Sequence, residues 1–414
     1  MKNISKISKF FIASCLFITS HLGFGKDIIV TEGNSIKNAV ESSSEGDRIM
    51  VSSGIYFESG IIITKKIELI GKDYPIVDGG SIGEIFTVKA SGVVIKGFVV
   101  KNSGFSSLKD FAAIRVENSI NCIIQDNKLI NNYFGIYLAG ANDCKVFNNE
   151  IISNAVKESA SGNGIHLWKC DNILIKNNSV SGHRDGIYFE FVTHSKISEN
   201  FSFNNIRYGL HFMFSNWDDY EYNVFSTNGA GVAVMYTKYV KMINNRFENN
   251  WGRPNSYGLL LKDISESFIF KNTFHKNTVG IFAEGVSKVN IEYNLFTENG
   301  YAAKILGNCT EDTIKANNFI SNSFDISTNS SRNSNLFYGN YWDKNKGYDL
   351  NKDGFSDAPY RPVSMFSMMV EQTPESIFLL RSFLVNLLDL AEKVMPVIIP
   401  ESLIDLNPRM EPVI

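Results

Sequence analysis

Gly164-Ile-His-Leu-Trp168, Gly186-Ile-Tyr-Phe-Glu190, Gly209-Leu-His-Phe-Met213, Gly231-Val-Ala-Val-Met235 and Gly258-Leu-Leu-Leu-Lys262 are five versions of one phrase. The same frame runs back to Gly135-Ile-Tyr-Leu138 and Ala113-Ile-Arg-Val116, and forward to Gly280-Ile-Phe-Ala283. Its starts, at 113, 135, 164, 186, 209, 231, 258, 280 and 302, are 22, 29, 22, 23, 22, 27, 22 and 22 residues apart. An Asn keeps the same beat at 127, 149, 178, 200, 223, 245, 272, 294 and 318. Two markers in one phase indicate stacked supersecondary units.

Within each phrase apolar residues alternate with other residues, the period of a strand with one buried face. The units are too short to carry a helix. The segments between them are rich in Asn, Ser and Gly, which suit tight corners. An Asn recurring at one corner predicts a side-chain hydrogen-bond ladder along the stack. Together these features predict a right-handed, single-stranded parallel β-helix of about 22 residues per coil.

Outward from this array, Lys2, Lys6 and Lys9 precede the apolar run Phe10 to Phe24. Residues 1–25 therefore read as an export signal, too short to span a bilayer, and the mature chain is expected in a periplasm. Residues 26–111 hold an N-terminal cap and the first, less regular coils. Ser35 to Glu45 supplies the cap, a short helix with Ile36, Ala39 and Val40 at helical spacing. The regular array occupies 112–341, an Asp/Asn-rich closing loop 342–364, and a helical tail 365–414. Thr373-Pro374-Glu375 reads as the start of the tail helix, which runs through Ile377 to Met395. Its many Phe and Leu residues suit docking on a membrane partner, while interspersed charges argue against a spanning segment. The formal charge of −3 supplies no basic stripe, so nucleic acid is not an expected partner. Beyond Cys15, Cys122, Cys144, Cys170 and Cys309 read as buried thiols, the first two on neighbouring coils.

Three coils carry extra residues at one corner, Ser103–Phe111, Ala155–Asn163 and Asn250–Tyr257, which predicts loops beside one face. Between them the outward positions can be read directly. The second position after each Gly holds Tyr137, His166, Tyr188, His211 and Ala233; the fourth holds Ala139, Trp168, Glu190, Met213 and Met235. Equivalent side chains on adjacent coils lie about 4.8 Å apart. Met213 should therefore stack beside Met235, with His211 next to it on the same strand and Tyr188 and Glu190 one coil below. Thioether sulfur with imidazole suits Cu(I). His211, Met213 and Met235 form the candidate copper set, with His166 and Glu190 as neighbours to it. A second reading takes Tyr137, Trp168 and Tyr188 as a sugar-stacking platform. Catalysis on a polysaccharide would want paired carboxylates, whereas Glu117, Glu190 and Glu284 fall several coils apart, so no catalytic residue is assigned. Asp349, Asn351, Asp353 and Asp357 match calcium-loop positions one, three, five and nine; Tyr360 stands where a Glu is usual.

Several of these stretches resemble one family. Arg184-Asp-Gly-Ile-Tyr-Phe-Glu-Phe191, Arg207-Tyr-Gly-Leu-His-Phe-Met-Phe-Ser215, Asn340-Tyr-Trp-Asp343, Gly347-Tyr-Asp-Leu-Asn-Lys-Asp-Gly354 and the Leu387-Leu-Asp-Leu-Ala-Glu-Lys-Val394 tail are similar to NosD, the nitrous-oxide reductase maturation family. The resemblance spans nearly the whole mature chain. It implies a periplasmic protein, without catalytic residues, that works with an ABC transporter of permease and ATPase and with a copper chaperone lipoprotein. Together these would deliver copper, and sulfur in one version, to apo nitrous-oxide reductase. Membrane association would come through the permease.

Overall fold

The computed structural model describes residues 25–106, 108–252, 256–330, 332–380, 382–394 and 403–413. The expected export signal, up to residue 24, lies outside them, as does the end of the tail helix at Met395.

The chain forms the expected parallel β-helix. Its strands assemble into three sheets of 14, 12 and 13 strands, each strand pairing in parallel with its equivalents one coil earlier and later. The repeated phrase builds the 12-stranded sheet, with Leu210 facing Val232 and Phe212 facing Val234 in direct register. The alternation puts Leu167, Phe189, Phe212, Val234 and Leu261 in the continuous core. Phe225, Phe247, Phe274, Phe296, Phe319 and Trp342 form a second interior file, whose last ring centroids are 4.1 Å apart. Adjacent coils hold the rings near stacking distance, so packing and ring contact reinforce each other.

The Asn ladder exists, and its chemistry is complete. The backbone N–H and Nδ2 of Asn200 both donate to Oδ1 of Asn223, each at 2.9 Å, and Nδ2 also donates to the Ile175 carbonyl at 3.0 Å. The buried Asn200 amide is thus satisfied by its neighbours, as burial requires. One marker is misplaced by a residue: Asn317 occupies the ladder, while the Asn318 side chain turns outward to the backbone of Val413. The ladder Asn are not the left-handed residues either. That conformation falls on the residue before them, including Tyr222 and Tyr293 at φ 55° and 56°. Asn is thus required at the ladder for its side chain, and the corner accepts other residues in the strained position. A second ladder, unread in the sequence, runs through Asn205, Asn228, Asn250, Asn277, Asn299 and Asn322.

Both ends are closed. At the N-terminal end, helix α1 (Ile36–Ser42) caps the first coil as expected; Ser35 accepts from Asn38 N–H and Glu58 from Ile36 N–H. The C-terminal end differs from the single tail helix read in the sequence. Helix α2 (Met365–Gln372) comes first, capped by Ser364. A 3₁₀ turn at Pro374–Leu379 follows, in which Thr373 makes no side-chain cap, and then α3 (Phe383–Val394). The chain then returns to the solenoid. Asp405 pairs with Phe337 and Tyr360, and Arg409 with Tyr341 and Phe355. Asp405 ends the first ladder, its Oδ2 accepting from Asn340 N–H and Nδ2 at 3.0 Å and from Trp342 Nε1 at 3.2 Å. The helices are therefore an excursion held at both ends. A helix-period reading cannot detect this, because the tether is made by contacts with residues far away in sequence. Cys122, Cys144, Cys170 and Cys309 are buried free thiols, with Cys122 N–H 3.3 Å from Cys144 Sγ. Among the described residues no helix is long and apolar enough to cross a membrane.

Candidate copper-handling face

The outer face of the 12-stranded sheet carries the two rows picked out in the sequence, in the register expected. Tyr137, His166, Tyr188, His211 and Ala233 are successive partners in one row. Trp168, Glu190, Met213 and Met235 are partners in the next. Met213 therefore neighbours Met235, His211 lies two residues before Met213, and Glu190 is one coil below. Two of the five candidates sit deeper than an open face would place them. His166 and His211 are only 7% and 3% exposed.

Ring stacking is the reason. Tyr137 meets His166 edge-on at 4.3 Å, His166 stacks on Tyr188 at 4.8 Å, and Tyr188 meets His211 edge-on at 4.9 Å. Arg115 covers the end of the row, 4.2 Å above Tyr137. The looped insertion contributes Asn163, whose side-chain nitrogen lies 2.9 Å from His166 Nδ1. Burial, with Arg184 nearby, lowers the His166 pKa to about 3, so its ring is neutral. The Tyr188 ring separates His166 from His211, and the structure does not bring the two histidines to one point.

His211 has a different setting. Its Nδ1 lies 3.6 Å from Asp185 Oδ2, beyond hydrogen-bond distance, and neither ring nitrogen has a hydrogen-bond partner. Asp185 is fully buried and gripped by Arg207 one coil on, with Tyr208 N–H also donating to it. Burial alone would raise the Asp185 pKa; the hydrogen bonds and charge of Arg207 outweigh it and hold it at about 2. The sequence analysis did not find this ion pair. The signal was available in the shared frame, where Arg207-Tyr-Gly209 repeats Arg184-Asp-Gly186 one coil later.

Met213 and Met235 are half-buried at the edge of this closed row. The Tyr188 hydroxyl donates toward Met213 Sδ at 3.7 Å and lies 3.4 Å from Glu190 Oε2. Burial, with Glu190 and Asp185 adding, pushes the Tyr188 phenol up to about 12, so it stays a donor at neutral pH. The site thus offers soft sulfur at an accessible edge and an imidazole behind it, a donor set suited to Cu(I). Among the described residues no three His, Cys, Asp or Glu side chains group to hold a metal ion.

The expected sugar platform does not form as an exposed surface. Tyr137 and Tyr188 are each 9% exposed, and Trp168 stands in the other row beneath Lys169 Nζ at 4.5 Å. In the closing loop, Asp349, Asn351, Asp353 and Asp357 bind backbone N–H groups of the loop itself, Asn351 and Asp353 as Asx turns. Asp349 accepts from Gly354 N–H, Asn351 from Asp353 N–H, Asp353 from Phe355 N–H and Asp357 from Leu350 N–H.

Comparison with known proteins agrees with this architecture. The NosD family profile, described as "Periplasmic copper-binding protein (NosD)", matches residues 40–161 and 150–356. A "Probable ABC transporter binding protein NosD" of Pseudomonas aeruginosa is 27% identical over 406 residues, covering 89% of each chain. Its namesake in Stutzerimonas stutzeri is 24% identical over 375 residues, covering 86% of this chain and 85% of that one. A pectate trisaccharide-lyase of Bacillus licheniformis is 27% identical, over 49% of this chain and 67% of its own. Among solved structures, a family 28 exopolygalacturonase of Yersinia enterocolitica superposes with TM-score 0.57 at 10% identity, covering 75% of this chain and 78% of that one. The likeness to that structure is one of fold alone. The family profile spans most of the solenoid and both NosD relatives align over most of the chain: the chain belongs to the NosD family of periplasmic copper-binding proteins.

Proposed function

We propose that this protein is the non-catalytic periplasmic accessory of an ABC transporter, and that it hands copper on for assembly of the nitrous-oxide reductase copper centre. One observation carries the reading: Met213 and Met235 occupy adjacent rungs with His211 beside them on the same face. Copper is cargo here, held transiently by Met213, Met235 and His211. Glu190 and His166 flank the set, and Asp185 stands behind the imidazole. The helical excursion supplies the transporter contact. Phe378 and Phe383 are 89% and 75% exposed, and Leu384, Leu387 and Leu390 are exposed beside them. Apolar area of this kind suits a permease better than water. A copper chaperone lipoprotein would load the face and apo nitrous-oxide reductase would receive from it. Calcium at Asp349, Asn351, Asp353 and Asp357 belongs to the same proposal as a clamp on the closing loop.

The test is a Cu(I) competition titration against a chromophoric chelator, using the mature protein and a variant with His211, Met213 and Met235 all changed to Ala. Binding that disappears in the variant supports this face. Equal binding by both proteins removes it. The pectate lyase relative favours a second, carbohydrate-processing reading. Against it, Glu117 and Glu284 are committed to ion pairs with Lys89 and Lys262, several coils apart. Release of unsaturated oligogalacturonides from polygalacturonate would reverse the ranking.

A further inference from the structure

The insertion Ala155–Asn163 does more than cover His166. With Ser103 and Phe105 it walls an open cleft of about 670 Å³ on the N-terminal side of the copper-handling face. That is the size of a small-molecule site. Its lining is unusual for this chain. Seven Ser or Asn side chains line it, Ser81, Ser103, Asn131, Asn132, Ser153, Asn154 and Ser161, and among the described residues Lys157 is its one Lys, Arg, Asp or Glu. Two aromatic rings complete it, Phe105 and Tyr133.

The two rings meet edge to face at 5.0 Å with their planes 77° apart, a contact that occupies at most one face of Phe105. Phe105 is 57% exposed. This contrasts with the external files elsewhere. Phe191, Phe214 and Tyr236 stack within 15° of parallel, and each interior face is taken by the next ring. Such files offer edges to a ligand, whereas Phe105 offers a face. Two amides of the same lining are joined, Asn154 Nδ2 donating to Asn131 Oδ1 at 3.0 Å. That bond does not use the Asn131 amide hydrogens or the Asn154 carbonyl oxygen, a donor and an acceptor side by side.

An exposed aromatic ring in one cleft with paired amides and hydroxyls suits a ligand with C–H faces and many uncharged hydrogen-bonding groups. We infer that this cleft binds a neutral oligosaccharide. A single lysine among neutral groups does not match a polyanion such as oligogalacturonate, which needs repeated cationic partners. The site is independent of the copper reading, because no lining residue belongs to the His211–Met213–Met235 set.

The experiment is saturation-transfer NMR and calorimetry on the full mature protein with three probes: penta-N-acetylchitopentaose, cellopentaose and penta-galacturonate. Binding of at least one neutral probe is expected. Phe105→Ala should weaken it about tenfold or more, and Asn154→Asp should also weaken it. Both positions are exposed, and unchanged thermal unfolding and Cu(I) titration in the variants would confirm that only the cleft was altered. The inference is overturned if neither neutral probe binds, if galacturonate binds better, or if folded Phe105→Ala and Asn154→Asp bind as wild type does.

Discussion

The Tyr188 hydroxyl is aimed at Met213: its oxygen lies 3.7 Å from the thioether sulfur, across one rung of the sheet. A sulfur that accepts a hydrogen bond has a lone pair less available to copper. Tyr188→Phe should therefore tighten Cu(I) binding by about threefold, the scale of one weak hydrogen bond. Parallel competition titrations of wild type and variant check this. Weaker binding in the variant would show instead that the phenol supports the metal.

Met213→Leu and Met235→Leu keep volume and polarity while removing sulfur. At half-buried positions such swaps cost less than about 1.5 kcal/mol of stability. Each should lower Cu(I) affinity by about tenfold or more while leaving the melting temperature nearly unchanged. Titration and calorimetry on the same samples separate the two effects. Unaltered affinity in both variants would exclude the thioether pair.

Asp405 holds the end of the Asn ladder, receiving donors from Gly339, Asn340, Trp342 and Asn407. Asp405→Ala leaves several of these donors buried without a partner, at about 1–3 kcal/mol for each one stranded. A large loss of stability is expected, with amide exchange accelerating first at residues 339–342. A melting curve like that of wild type would show that water replaces the carboxylate.

Asp312 gives a pH dependence. Burial raises its pKa from 3.8 to about 6, although the Val289 N–H bonded to its Oδ1 opposes the rise. The folded state therefore holds the proton more tightly than the unfolded chain does. Its contribution to stability is complete below pH 3.8 and lost as pH rises through about 6. Asp312→Asn keeps the carbonyl acceptor without the charge. It should stabilise the protein by about 1–3 kcal/mol at neutral pH and have little effect near pH 3.5. Denaturant titrations at the two pH values decide the matter; an equal effect at both would refute it.

Helix α2 is anchored by Phe366, buried against Phe324, and by Glu371, which pairs with Lys304 at 2.8 Å. Phe366→Ala should weaken that anchor by about 3–5 kcal/mol. Limited proteolysis should then cut within residues 365–394 while the solenoid transition stays in place. Loss of both together would show that the excursion and the coils unfold as one unit.

The sequence determined the fold because a β-helix is a local code repeated. Each coil carries its own apolar alternation, and each ladder Asn needs only its equivalents one coil away. Register follows from period, and so the pairing of Met213 with Met235 was legible before any coordinates. The depth of the site was not legible. His211 reads as outward from its strand parity, yet it is buried among Tyr188, Tyr208 and Asp185 because rings on successive rungs fill the space between them. The tail shows the same division. Its composition revealed helices and exposed apolar residues, but the return of Asp405 to the ladder is a contact with Asn340, 65 residues earlier. Periodicity reports what a residue shares with its own repeat. Burial, ion pairing and chain closure depend on neighbours outside that repeat, and only the tertiary structure decided them.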